Sequence, residues 1–206
     1  MRIFVVRHAE SEPPSEAWSE HDRPLTATGH TQAACLASAM RGEQLDRVIC
    51  STMRRAVQTA VPLARALGLP LIPEPDLVEI DLGALAAWEP KDQAEWERIT
   101  ATWARGDLAA SCPGGESLLD VRTRVEPAVT RLVAQPCEHG IAIVAHAVVN
   151  EVIVPLLCPE LRPAMGTYLG HGHTGVWELA GAGSAFRVLR RNDMRHLVPG
   201  PSAEAH

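Results

Sequence analysis

Two arginines and two histidines, Arg7, His8, Arg55 and His146, stand where they could bind a phosphoryl dianion. Guanidinium groups match the oxygens of a phosphoryl group, and helix N-termini that follow strands add hydrogen-bond donors. A single histidine after a strand is more often an ordinary polar residue than a catalytic one. The prediction therefore depends on the recurrence of such residues after three separate strands.

Those three strands are short apolar runs, each followed by a segment with helical periodicity. The runs are residues 3–6, 47–50 and 141–145. Arg7 and His8 follow the first, Ser51 and then Arg55 follow the second, and His146 follows the third. In α/β folds ligands bind at the carboxyl ends of strands, where helices begin. We therefore expect these side chains to converge at one edge of a sheet.

The remaining pattern alternates strands with helices. The predicted helices cover residues 28–40, a segment from a cap at Ser51 or Thr52 to Leu67, a long helix that Ser117 caps and Pro127 kinks, and a segment from about Val148. Residues 69–77, interrupted by prolines, are at best an edge strand, and residues 175–179 and 185–189 predict a closing hairpin. The fold class is α/β: a three-layer α/β/α sandwich around a mostly parallel sheet.

The chain of 206 residues has the length of one domain. We predict a single domain over 1–198, with an insert or lid at about 84–116 that contains a helix near Trp96, and a flexible tail over 199–206. The net charge of −6 argues against general nucleic-acid binding. The longest apolar segment, residues 141–158, carries polar side chains and a proline, so no membrane span is expected.

The cysteines and histidines give no sign of a metal centre or of disulfides. Five cysteines form an odd set without a C-x-x-C pair, which favours free thiols and a cytoplasmic location. His171 and His173 have the spacing of a metal pair, but no carboxylate or thiolate cluster accompanies them, so a turn is expected there. No metal and no cofactor is predicted.

Seven blocks, in order along almost the whole chain, resemble motifs of the histidine phosphatase superfamily, also called phosphoglycerate-mutase-like, in its phosphatase branch. The blocks are RHAES at 7–11, DRPLTATGHTQA at 22–33, STMRRAVQTA at 51–60, LVEIDLG at 77–83, PGGES at 113–117, VAH at 144–146 and NDMRHL at 192–197. Each block alone is common, but seven in register make the resemblance specific.

The resemblance implies a phosphoglycerate-mutase-like fold and a role for each site residue. His8 would attack phosphorus and become a phosphohistidine, while Arg7, Arg55 and His146 would hold the phosphoryl oxygens. Glu79 would protonate the leaving oxygen and then activate the hydrolytic water. Backbone amides near Ser117 would also face the phosphate.

Three departures from the family pattern concern the site. Ala9 and Ala147 replace the glycines that usually follow the two histidines, which narrows the pocket. Pro14 stands where many members carry an asparagine that donates to the phosphoryl group. After Gly83 the family's x-W-E-G pattern is absent, and Trp88-Glu89 is displaced, so the lid is unusual.

The function that these features predict is a metal-independent phosphomonoesterase acting on a small phosphorylated metabolite. One alternative is a phosphoglycerate mutase-type phosphotransferase, which the acidic balance of the insert and the short chain disfavour. A phosphohistidine-protein phosphatase is a second alternative, and a non-catalytic phospholigand-binding regulatory module is a third. The sequence names neither the substrate nor the oligomeric state, for which a homodimer is one option.

Overall fold

The structure is a computed structural model that describes residues 1–15, 19–87, 90–183 and 185–198. Within these residues, six strands form one mixed sheet in the order β3-β2-β4-β1-β5-β6. The strands are β1 (Arg2–Arg7), β2 (Arg47–Ser51), β3 (Leu71–Glu74), β4 (Gly140–Ala145), β5 (Val176–Ala182) and β6 (Ala185–Asp193). β1 to β4 run parallel, whereas β5 is antiparallel to β1 and β6 to β5. The expected edge strand, β3, and the closing hairpin are both confirmed.

Helices cover both faces of this sheet. They are α1 (Ala27–Ala39), α2 (Arg54–Leu67), α3 (Gln93–Ala104), α4 (Leu118–Ala134) and α5 (Ala147–Leu157). Successive residues of a strand point to opposite faces, so Phe4 and Val6 pack in the core with α1 and α2, while Ile3 and Val5 pack with α4 and α5. The predicted three-layer α/β/α architecture is thereby confirmed.

The two predicted helix caps have different outcomes. Ser117 caps α4 in a capping box, in which Ser117 and Asp120 satisfy each other's backbone N–H groups, as expected. The cap predicted at Ser51 or Thr52 is wrong, because the N-cap of α2 is Met53, which has no side-chain capping bond. The Ser51 hydroxyl instead lies 2.8 Å from Nε2 of His146. α4 is one continuous helix with Pro127 inside it.

The insert contains the expected helix near Trp96, which is α3. Its buried residues, Ile99 and Trp103, belong to the same core as α4 and α5. The displaced Trp88-Glu89 pair and the predicted tail at 199–206 lie outside the described residues. No helix in the described part of the chain is long and apolar enough to cross a membrane.

Candidate active site

Four parallel strands end at the edge of the sheet where the predicted site residues lie. In the register of β1 and β4, Arg7 is paired with Ala145, so His8 and His146 both follow the same pair. The backbone N–H of His8 donates to the carbonyl of Ala145 over 2.9 Å. The ring centroids of His8 and His146 are 5.1 Å apart. The structure thus brings the two histidines together.

His8 is buried and its ring is held at both nitrogens. Nδ1 lies 2.6 Å from the carbonyl oxygen of Ala9, and Nε2 lies 3.2 Å from Nε of Arg55. A guanidinium can only donate, so Nε2 is the acceptor and the proton sits on Nδ1. Burial, followed by the charges of Arg55 and Arg7, lowers the pKa of His8 well below its usual value. The imidazole is therefore neutral, with its lone pair on Nε2.

Arg55 projects from the first turn of α2 and is 2 % exposed. Its two terminal nitrogens bind Glu20, Nη1 to the backbone oxygen at 2.7 Å and Nη2 to Oε1 at 2.8 Å. Thr59, one turn further along α2, donates to the carbonyl of Arg55 and accepts from the N–H of Ala9. Thr59 thus ties the backbone after His8 to the helix that carries Arg55. Sequence reasoning missed both Glu20 and Thr59.

Arg7 and His146 each keep a buried nitrogen for which the described residues offer no hydrogen-bond partner: Nε of Arg7 and Nδ1 of His146. Nη1 of Arg7 donates to the carbonyl of His171 over 2.8 Å. Burial is the main cause of the lowered pKa of Arg7 and of His146, and the nearby charges of Arg55 and Arg7 add to the effect on His146. A buried donor without a partner is costly, and Nε of Arg7 is always a donor. An anion beside these atoms would therefore be stabilised by Arg7, and by His146 when its Nδ1 carries a proton.

Glu79 lies at the N-terminus of α5, the helix that follows His146. Its Oε1 accepts from the N–H of Val149 at 3.3 Å and its Oε2 from that of Val148 at 3.4 Å. Burial raises the pKa of Glu79, although the N–H of Ile80 and the charges of Arg55 and Arg7 oppose this. A raised pKa favours the protonated carboxyl group, which is the form that a general acid needs.

The segment that carries Glu79 is fastened to the turn before α4. Cβ atoms at Gly83 and Gly115 would lie within 2.6 Å of each other's backbone segments, so only glycine permits this approach. Arg124 of α4 donates to the backbone oxygen of Glu79 and pairs with Glu116. The LVEIDLG and PGGES blocks therefore position Glu79, and Arg124 is a positioning residue that sequence reasoning missed.

Ser117 stands apart from the other predicted site residues. Its hydroxyl and backbone N–H are engaged with Asp120 in the cap of α4. A phosphate contact near Ser117 therefore stays a prediction. Two residues that depart from the family pattern have defined positions. Ala9 supplies the carbonyl that binds Nδ1 of His8, and Ala147 is the first residue of α5.

The loop before β5 adds the ring of His173 and the backbone carbonyl of His171 to the site. The ring of His173 lies 5.7 Å from that of His8, and burial lowers its pKa to about 4. The expected turn at 171–173 is present, because Gly175 N–H bonds back to the carbonyl of Gly172. An antiparallel strand beside β1 must begin at the edge where β1 ends, and that rule could have placed His173 here.

No group of three or more histidine, cysteine or acidic side chains in the described parts of the chain is arranged to hold a metal ion. The arrangement instead joins a neutral imidazole with a defined acceptor nitrogen, two buried guanidinium groups and a carboxyl group with a raised pKa. Such a set can bind a phosphoryl group, attack it and protonate a leaving oxygen.

Curated proteins similar to this chain include a phosphatase and a probable mutase. The phosphoserine phosphatase 1 of Hydrogenobacter thermophilus is 25% identical over 201 residues, which cover 96% of this chain and 90% of that protein. A probable phosphoglycerate mutase GpmB of Enterobacter sp. (strain 638) is 30% identical over 156 residues, covering 69% of this chain and 71% of that protein.

Among solved structures, a mycobacterial glucosyl-3-phosphoglycerate phosphatase in complex with VO3 superposes with a TM-score of 0.78. It is 26% identical and the alignment covers 93% of this chain and 98% of that one. The family profile of the histidine phosphatase superfamily (branch 1) matches residues 3–194. The chain therefore belongs to the histidine phosphatase superfamily, branch 1.

Proposed function

We propose that this protein is a metal-independent phosphomonoesterase that hydrolyses a small phosphorylated metabolite through a phosphohistidine at His8. The observation that carries the proposal is the hydrogen bonding at the two ring nitrogens of His8. Nδ1 is fixed on the carbonyl of Ala9, so the lone pair of Nε2 faces Arg55. The ring of His146, whose Nδ1 has no partner among the described residues, lies 5.1 Å from that of His8.

In the first step, Nε2 of His8 attacks phosphorus and the bond from phosphorus to the alcohol oxygen breaks. Glu79 donates its proton to that oxygen, so the alcohol leaves uncharged. Arg7 and Arg55 stabilise the charge that develops on the phosphoryl oxygens. A dianion beside His146 favours its protonated form, which would then donate through Nδ1.

In the second step, the Glu79 carboxylate takes a proton from water, and that water attacks the phosphohistidine. The bond from phosphorus to Nε2 breaks, phosphate leaves, and His8 and protonated Glu79 are restored. Arg7 and Arg55 supply the positive charge that a divalent cation supplies in many other phosphoryl-transfer enzymes.

Hydrolysis after removal of metal ions tests this function directly. We expect a panel of phosphorylated metabolites, incubated with exhaustively chelated protein, to show phosphate release that added Mg²⁺ does not increase. Vanadate, which adopts the five-coordinate geometry of the transition state, should inhibit. Activity that chelation abolishes and a divalent ion restores would contradict the metal-independent mechanism.

A phosphoglycerate mutase-type transfer remains the second candidate, because several relatives carry that name. It predicts transfer of label from phosphoglycerate to its isomer with little free phosphate. A non-catalytic phospholigand-binding module would bind phosphate without turnover. We also retain a cytoplasmic location as part of the proposal, because all five cysteines are free.

A further inference from the structure

A largely apolar pocket opens beside the first turn of α5. Its volume is about 320 Å³. Trp96 and Trp103 of α3 contribute two aromatic rings, which meet edge to face with centroids 5.4 Å apart. Val148 lines the α5 side, and Tyr168, 79 % exposed, lines the mouth. Ligand pockets in proteins commonly combine such an apolar lining with a few polar groups.

The pocket adjoins the catalytic residues through α5. Ala147 and Val148 line it, and they directly follow His146 in the chain. The backbone N–H of Val148 donates to Oε2 of Glu79 over 3.4 Å. Because Glu79 protonates the leaving oxygen in the proposed mechanism, the alcohol must lie on the Glu79 side of the phosphoryl group. This places the carbon skeleton of the alcohol next to the pocket.

The carboxyl groups of the pocket have no basic counterpart. Glu97 of α3 and Glu151 of α5 line it, whereas no arginine or lysine is among its described lining residues. Burial raises the pKa of Glu151 to about 8, so this carboxyl is uncharged near neutral pH and can exchange hydrogen bonds with a hydroxyl. A carboxylate placed in the pocket would meet no cation and would lie near the charge of Glu97.

We propose that this pocket binds the leaving group and that the substrate is the phosphate monoester of a largely apolar alcohol without a carboxylate. The inference rests on the proposed phosphatase function and specifies its substrate class. It separates this chain from enzymes that must hold a second acidic group of the substrate, because such a group needs cationic partners that the pocket does not provide.

A second cavity, of about 440 Å³, is lined by Glu79 itself. Glu20, Asp81 and Glu116 give it an acidic lining, and its arginine, Arg124, already pairs with Glu116. Its acidic walls suit an apolar alcohol less well than the aromatic pocket does. The two cavities can be told apart by filling each with a side chain.

A matched series of alkyl phosphates tests the substrate class: ethyl, butyl and hexyl phosphate, with 5-carboxypentyl phosphate as the charged analogue of hexyl phosphate. These alcohols are similarly poor leaving groups, so differences in kcat/KM report contacts to the carbon chain. A buried methylene contributes a factor of about four. With some methylenes only partly buried, we expect hexyl phosphate to exceed ethyl phosphate at least about tenfold and the carboxylated analogue to lose most of that gain.

Two tryptophan variants test the location. Thr100 lines the aromatic pocket on α3, and Ala86 lines the second cavity. Thr100→Trp should remove the preference for hexyl over ethyl phosphate while ethyl phosphate hydrolysis persists. Ala86→Trp, the matched control, should retain the preference. The reverse result would place the leaving group in the second cavity and overturn the inference.

Two charge variants on α3 test the exclusion of carboxylates. Glu97→Arg should raise kcat/KM for 5-carboxypentyl phosphate relative to hexyl phosphate. Glu95→Arg changes the net charge equally but lies outside the pocket lining, where Glu95 pairs with Arg98, and should leave that ratio unchanged.

The outcomes distinguish a wrong substrate class from a wrong phosphatase function. Hydrolysis of all four esters at similar rates would overturn the substrate class while leaving the phosphatase function intact. A preference for the carboxylated ester would do the same. Failure to hydrolyse any ester, together with no phosphoenzyme, would overturn the proposed function and the inference with it.

Discussion

Nε of Arg55 donates a hydrogen bond of 3.2 Å to Nε2 of His8, so the guanidinium and the nitrogen proposed to attack phosphorus are in direct contact. This contact fixes the lone pair on Nε2 and contributes to the lowered pKa of His8. It must open when a phosphoryl group enters, and Nε of Arg55 then becomes available to a phosphoryl oxygen. Glu20, which holds the other two guanidinium nitrogens, keeps Arg55 within reach during that exchange.

Replacing Arg55 tests whether the planar guanidinium is needed. Arg55→Lys keeps the charge but removes Nε, the donor that contacts His8, and the planar fork that binds two oxygens of Glu20. We expect kcat/KM for any ester that the protein hydrolyses to fall by about 10²–10³, the range for loss of one preorganised donor. Arg54→Lys, at the exposed neighbouring position, is the control and should retain activity. Near-normal activity of a folded Arg55→Lys would show that a single charge suffices.

Glu79→Gln tests general acid catalysis. An alkoxide needs a proton to leave, whereas nitrophenolate does not, so phosphorylation by an alkyl phosphate should fall by about 10²–10⁴ and that by nitrophenyl phosphate should be nearly spared. Hydrolysis of the phosphohistidine should slow for both, because Glu79 also activates water. Single-turnover burst kinetics separate the steps. Equal losses in the phosphorylation step would limit Glu79 to positioning the substrate.

The pH profile gives a second readout of Glu79. Burial raises its pKa, so the protonated form persists to higher pH than in an ordinary glutamate. For an alkyl phosphate, kcat/KM should decline as pH rises through that raised pKa, and Glu79→Gln should remove this decline. His8, whose pKa is lowered, stays neutral into the acidic range. A decline that survives in Glu79→Gln would assign it to another group.

Much of this site could be predicted from the sequence, because the ends of the strands set the positions of its residues. Short apolar runs predict β1, β2 and β4, and their parallel order brings together Arg7, His8 and His146. Ser117 is a capping residue by local chemistry alone. These features depend on neighbours close in sequence or on a general rule of α/β folds.

The features that could not be predicted depend on contacts between distant segments. Ser51 does not cap α2, because it is still the last residue of β2 and the helix begins three residues later. Its hydroxyl lies 2.8 Å from Nε2 of His146, 95 positions later, and accepts from the N–H of Met53. Arg124 lies in a helix that reads as an ordinary amphipathic segment, yet it fastens the backbone of Glu79. Glu20 lies in a proline-rich loop without periodicity, and its pairing with Arg55 has no local signal.

The raised pKa of Glu151 predicts a pH dependence of folding stability that is independent of catalysis. Both its oxygens accept from the N–H of Leu169, Oε1 lies 3.4 Å from Nε2 of His171, and the charge of Glu79 acts on it as well. Burial raises its pKa to about 8 in the folded chain. The unfolded chain ionises this group near the ordinary value, so folding loses stability as pH rises between those two values.

Glu151→Gln should remove that loss. The free energy of unfolding of the variant, measured relative to the wild type by denaturant titration, should increase with pH by at most about 1.4 kcal/mol per pH unit. The increase should stop above the raised pKa. A difference that does not change with pH would mean that Glu151 has the same pKa in the folded and unfolded chain, and would contradict the raised value.

The nature of the phosphoenzyme tests the central claim most directly. After rapid acid quench of protein mixed with a radiolabelled phosphate ester, the account predicts label on His8 that is labile in acid and stable in base. His8→Ala, with its fold verified by circular dichroism, should carry no label and show no turnover. Label with the lability of an acyl phosphate, or appreciable turnover by folded His8→Ala, would contradict histidine as the nucleophile.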